Sequence, residues 1–110
     1  MKRGEIRTVS GGQDYAGKPR PCIIVQDDRF DATASITICV VTTARTDAPF
    51  VRLPIEPSEG NGLRGPCRLM IDKITTVPKT KIGIRVGRLG ERDLLRLNRA
   101  IVDFLGRAGT

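Results

Sequence analysis

Gly17-Lys18-Pro19-Arg20-Pro21 runs directly into Cys22-Ile23-Ile24-Val25-Gln26. Two prolines fix φ on either side of one arginine and bias Lys18 and Arg20 toward extended backbone. The apolar run that follows is short and β-branched, so it reads as a buried strand. A guanidinium is therefore held on a stiff stem at the mouth of a β structure. A solvated arginine has no need of that stiffness. One that meets a phosphate in fixed geometry does, because its planar fork binds phosphate oxygens in pairs.

The β reading extends outward in both directions. Arg3 to Val9 alternates as a first strand, with Ile6 and Thr8 on one side and Arg7 and Val9 on the other. Ser10 to Pro19 is a loop rich in glycine and polar residues, and Asp27 to Ala32 is a turn. Ser35-Ile36-Thr37-Ile38-Cys39-Val40-Val41-Thr42-Thr43 is the strongest strand, nearly all β-branched. Phe50 to Ile55 follows, with Pro54 and Pro57 marking it as an edge. Gly60 to Pro66 is a second turn-rich loop. Arg68 to Ile74 reads as one strand that Thr75 to Pro78 closes, and Ile82 to Leu89 as a last short strand. Phe30, Phe50 and Phe104 are expected in the core.

The chain ends in a helix. Glu91 and Asp93 place acids where the helix dipole favours them. Leu94, Leu97, Ile101, Phe104 and Leu105 recur at helical spacing, with Arg92, Arg96, Arg99 and Asp103 opposite. Short strands followed by one amphipathic helix predict a small, strongly curved β-barrel packed on that helix. One hundred and ten residues suffice for one core and not for two, so residues 1–110 are expected to form a single domain.

Composition narrows the function. No apolar run approaches the roughly 20 residues of a membrane-spanning helix, and the N-terminus shows no secretion signal. Three scattered cysteines do not make a disulfide framework, which fits a reducing cytoplasm. The net charge is +7, and from Lys79 to Thr110 eight basic residues stand against three acidic ones. That surplus favours a polyanionic partner, nucleic acid or acidic protein, although it also serves solubility. Histidine is absent, and with it the commonest general base and metal ligand. No metal site and no cofactor are expected.

Arg3-Gly4-Glu5-Ile6, the glycine-rich loop, Gly17-Lys18-Pro19-Arg20-Pro21, Val41-Thr42-Thr43 and Asp72-Lys73-Ile74-Thr75-Thr76-Val77 together resemble the MazF/PemK endoribonuclease toxins. The likeness runs in order over nearly the whole chain. It implies a mainly β fold, an SH3-like barrel of five to seven strands with a C-terminal α-helix. It also implies a homodimer, metal-independent cleavage of single-stranded RNA, and inhibition by an acidic antitoxin. Arg20 matches the arginine of the family's Arg-Pro pair. Thr42 and Thr43 match the hydroxyl residues that end the central strand, and Asp72 matches the acidic position of the PemK-like members. Two places depart from the pattern. Asp14 is the best replacement for a glutamate that many members carry before Gly and Arg-Pro. Met70 stands where PemK-like members have arginine, and Arg68 lies four residues before Asp72 on the same expected strand face.

The chemistry implied is attack of the 2′-hydroxyl on the adjacent phosphate with loss of the 5′-oxygen. It calls for a proton acceptor, charge beside the phosphate and a proton donor. Arg20 suits charge stabilisation better than acid catalysis, because a pKa above about 12 makes it a weak acid at pH 7. Thr42 can orient the phosphate, or serve only β-propensity. Asp14 can act as base, but a loop aspartate bonding its own backbone explains it as well or better. Tyr15 can stack on an unpaired base. Lys18 and Lys73 are candidates for backbone phosphates. Two other functions share this shape: a CcdB-like protein that poisons gyrase, and a basic RNA-binding module without activity. Arg20 with Thr42 argues for the nuclease, since a protein poison needs no phosphate site between two strands.

Overall fold

A computed structural model describes residues 1–10, 18–45, 48 and 51–106. Its elements are β1 (Glu5–Val9), β2 (Arg20–Ile24), β3 (Ser35–Thr42), β4 (Arg52–Ile55), β5 (Cys67–Met70), β6 (Thr75–Pro78), β7 (Ile82–Arg88) and α1 (Glu91–Leu105). All strand pairs are antiparallel, in the order β4-β5-β3-β2-β1-β7, with β6 also on β3.

The central strands lack a polar face because both of their faces are covered. Ile6, Ile23, Cys39 and Val41 belong to one buried cluster, completed by Ile55, Leu69, Ile71, Leu89 and Leu97. Cys22, Ile24, Ile36, Ile38 and Val40 belong to a second, with Val9 and Met70. Residues of alternate parity along β2 and β3 thus feed two cores. Ile6 pairs with Ile23, and Ile23 with Cys39, so the first cluster crosses three strands in one row.

One expected strand is two. β5 ends at Met70, a 3-10 turn occupies Ile71–Lys73, and β6 begins at Thr75. Both halves pair with β3: Val41 faces Leu69, and Ile38 faces Thr75. Three steps along β3 are therefore matched by six along its neighbour, and the turn absorbs the excess as a large bulge. Ile71 drives this, because its side chain is fully buried in the first cluster. The shared face expected for Arg68, Met70 and Asp72 consequently breaks before Asp72.

Helix α1 covers the first cluster. Leu97 is fully buried, and Leu94, Ala100 and Ile101 pack against the same cluster. Arg96 ties the helix to β4, donating to the Pro54 carbonyl at 3.1 Å and to Asp93 at 2.9 Å. Arg3 reaches Asn98 at 2.5 Å. Gly106 ends the helix at φ +85°, its amide returning to the Val102 carbonyl. Two aromatics depart from expectation. Phe30 is 57% exposed on a surface 3-10 turn under the Arg29 guanidinium, and Phe104 is 48% exposed on the last turn of the helix. Phe50 lies outside the described residues.

The segment after β4 reaches across to β7, at the far end of the strand order. The Arg88 amide donates to the Gly60 carbonyl at 2.9 Å. A Cβ on Gly62 would fall 2.3 Å from the Val86 carbonyl oxygen, and one on Gly87 would fall 2.4 Å from Asn61 backbone. These close approaches bring the two sheet edges together and make the fold an SH3-like barrel with a C-terminal helix.

Candidate functional site

Arg20 opens β2 and Thr42 closes β3. Cys22 pairs with Val40, so extending that register by two residues brings Arg20 level with Thr42. Thr42 in turn pairs with Arg68 on β5. A polar row, Arg20–Thr42–Arg68, therefore crosses three adjacent strands. Each member lies two residues beyond a buried apolar one (Cys22, Val40 and Met70) in the second cluster. The row is the polar end of that core face.

Arg20, Thr42 and Thr43 line one cavity of ≈ 280 Å3. Pro21, Val41, Leu63, Cys67 and Val86 supply its apolar walls, and Gly62, Arg64 and Gly65 close one side. A neighbouring cavity shares Thr43 and Cys67 and adds Arg45, Pro54, Glu56, Pro66 and Arg68. Arg20 is half-buried, and Thr42 accepts from the Ala44 amide at 3.1 Å through Oγ1. That bond orients the hydroxyl and leaves its proton to donate to an anion.

The loop wall is held by one buried side chain. Asn61 is 2% exposed. Its Oδ1 accepts from the Ser58 and Leu63 amides at 2.9 and 3.0 Å, and its Nδ2 donates to the Glu56 carbonyl at 2.9 Å. Ser58 Oγ accepts from the Asn61 amide at 3.1 Å. Gly62 at φ +67° turns the chain after it, in a region other residues rarely adopt.

The remaining expected residues divide. Arg68 lies beside the first cavity, in the second. Asp72 lies in the 3-10 turn, forms an ion pair with Arg52 and lines neither cavity. Lys73 is exposed on the same turn and lines neither cavity. Lys18 is exposed just before β2. Asp14 and Tyr15 lie outside the described residues. The sequence reading missed Leu63, Arg64 and Val86 as individual contributors. The Gly60-Asn61-Gly62 punctuation marked a turn there, but the docking of that turn on β7 is a long-range fact.

The cysteines are not nucleophiles. All three are free and buried. Burial pushes the Cys22 thiol up to about 11 and the Cys39 thiol up to about 12. Burial, then nearby Glu56, also raises Cys67 at the cavity wall. Glu5 differs. Burial pulls its carboxyl upward, but the Lys2 amide and the Arg7 guanidinium outweigh that and hold it below its ordinary value. It also accepts from Arg85 at 3.1 Å. No group of three or more His, Cys, Asp or Glu that could hold a metal ion occurs among the described residues. No helix there is long and apolar enough to cross a membrane.

Residues 2–105 match the family model of the PemK-like, MazF-like toxins of type II toxin-antitoxin systems. A protein of Mycolicibacterium smegmatis, the probable endoribonuclease MazF, is 54% identical over 109 residues, covering 99% of this chain and all of that one. Among solved structures, an endoribonuclease in complex with its cognate antitoxin from a mycobacterial species superposes with a TM-score of 0.80. It is 24% identical and covers 100% of this chain and 99% of its own. The Mycobacterium tuberculosis toxin MazF-mt6 gives a TM-score of 0.77 at 22% identity, covering 92% of this chain and 95% of its own. These two likenesses bear on the fold.

Proposed function

The chain belongs to the PemK-like, MazF-like toxin family, and from that premise we propose how its cavity works. The protein is an endoribonuclease toxin that cuts single-stranded RNA and is neutralised by a cognate antitoxin. The relationships favour this over a gyrase poison or a non-catalytic RNA-binding module. The observation that carries the mechanism is that Arg20 and Thr42, from adjacent strands, line one cavity whose other walls are largely apolar.

Arg20 places a fixed positive charge where the attacked phosphate gains negative charge, and the Thr42 hydroxyl orients a phosphate oxygen. The 2′-hydroxyl attacks the adjacent phosphorus and loses its proton to water, the P–O5′ bond breaks and the 5′-oxygen takes a proton from water, giving a 2′,3′-cyclic phosphate and a 5′-hydroxyl. Arg68 and Thr43, in the adjoining cavity, support the next stretch of backbone. Asp72, engaged with Arg52, contacts RNA from outside this cavity. Asp14, Tyr15, Lys18 and Lys73 remain proposed RNA contacts from the flanking loops.

The protein acts as a homodimer in the cytoplasm. A barrel this small does not surround several nucleotides alone, and closed twofold pairs are the commonest homo-oligomers. The surplus of Lys and Arg attracts an acidic antitoxin segment that competes with RNA. The test is purified protein with single-stranded RNA and a chelator, with fragment ends characterised. Products with 5′-phosphates, or activity lost on chelation, contradict the mechanism. Light scattering checks the dimer, and cleavage assays with the neighbouring gene product check the competition.

A further inference from the structure

We propose that the ≈ 280 Å3 cavity receives one unpaired RNA base and that Arg64 selects it, favouring a base with two adjacent acceptors on one edge. Guanine offers such an edge in N7 and O6, and cytosine in N3 and O2. Adenine and uracil do not. The inference rests on the ribonuclease reading and deepens it.

The walls decide what enters. Pro21, Val41, Leu63 and Val86 are apolar, and such walls suit the flat face of a base rather than a phosphate. The two cations stand on different elements. Arg20 belongs to the strand row with Thr42, where the scissile phosphate is placed. Arg64 comes from the loop on another side of the same cavity.

That loop fixes the backbone that carries Arg64. Asn61 bonds the backbone at Glu56, Ser58 and Leu63, and the Leu63 side chain packs on the first core cluster. The backbone is therefore fixed up to the residue before Arg64. Among the described residues Arg64 makes no hydrogen bond or ion pair, and it is exposed. Its guanidinium has five donors in a planar fork. Such a fork, carried on a fixed backbone and not engaged elsewhere, is available to read paired acceptors, and single-stranded RNA exposes both base edges to it.

The experiment is digestion of a random-sequence single-stranded RNA pool by wild type, Arg64→Ala and Arg64→Gln, with sequencing of fragment ends. Wild type is expected to prefer guanine or cytosine at one fixed position near the cut, by about 5- to 150-fold over adenine or uracil. Which of the two dominates identifies the edge that is read. Arg64→Ala is expected to keep cutting and lose that preference. Arg64→Gln is expected to move it toward adenine, whose N6 and N7 match a carboxamide. Wild-type preferences retained in both variants overturn the assignment. So does uniform loss of cutting at every sequence by a folded Arg64→Ala, which would make Arg64 part of the phosphate machinery. A wild type that leaves RNA intact overturns the ribonuclease reading itself.

Discussion

Arg20 and Thr42 each lie two residues beyond the buried, paired Cys22 and Val40 on adjacent antiparallel strands, and both line one cavity. The same β2–β3 pairing that packs the core therefore brings both residues to that cavity. Both side chains extend from strand ends, where the apolar core stops. A site on such a scaffold is preorganised without any special loop to hold it.

Arg20→Ala is expected to lower cleavage by a factor of about 10²–10³, as loss of one preorganised charge contact typically does. Its far-ultraviolet circular dichroism should match wild type, because Arg20 is half-buried at a strand end. Arg20→Lys should also be poor, since an ammonium lacks the planar fork. Cleavage by Arg20→Ala near the wild-type rate removes Arg20 from the site.

Thr42→Val separates the hydroxyl from β-propensity. Valine keeps the branched shape and strand preference of threonine. Cleavage is expected to fall, by less than for Arg20→Ala, with the melting temperature little changed. Full activity returns Thr42 to a purely structural role.

Asn61→Ala should destabilise the fold by about 1–3 kcal/mol, by stranding the Ser58 and Leu63 amides and the Glu56 carbonyl. Urea titration reads this directly. An unchanged midpoint means that water or a rearranged loop satisfies those groups.

Much of this was legible in the sequence, and most of what was not depends on contacts far apart in the chain. The strands β2 and β3 announce themselves by β-branched residues, and α1 by its 3.6-residue periodicity. The break between β5 and β6 was hidden because Ile71-Asp72-Lys73 contains neither glycine nor proline, and Ile71 looks like any strand residue. What bends the chain there is a tertiary demand, the burial of Ile71 against the core. Arg20 and Thr42 were singled out by their sequence settings and the family likeness, but their alignment is a register fact. Arg64 was harder still. Its place at the cavity depends on the loop after β4 docking on β7, through Gly62 and Gly87 contacts that no local pattern encodes. Phe30 and Phe104 misled because aromatic character was read as burial.

The three thiols should be inert in the folded protein. With Cys22 pushed up to about 11 and Cys39 to about 12, almost no thiolate exists at pH 8. Ellman's reagent at pH 8 should therefore label none of them rapidly, and all three in denaturant. Fast labelling of Cys67 alone would show that the cavity wall opens to solvent.

Glu5 makes the barrel acid-sensitive. It is 9% exposed and holds Arg7 and Arg85 at 3.3 and 3.1 Å, joining β1 to β7. Its folded-state pKa lies below the ordinary value of 4.5. The unfolded chain therefore binds the proton first as pH falls. The stability that Glu5 contributes is fully present well above pH 4.5, declines below it, and is gone once the pH drops beneath the folded-state value. Urea midpoints measured downward from pH 7 should hold steady as far as this group is concerned, then fall below about pH 4.5. Glu5→Gln removes the carboxylate while keeping its size, and leaves two arginines without their counter-charge. The variant should be less stable at pH 7 and show a shallower loss in the acid range, so that the two curves converge. Parallel curves across that window would mean that other carboxylates, such as Asp27 and Asp31 with their lowered values, account for the acid response.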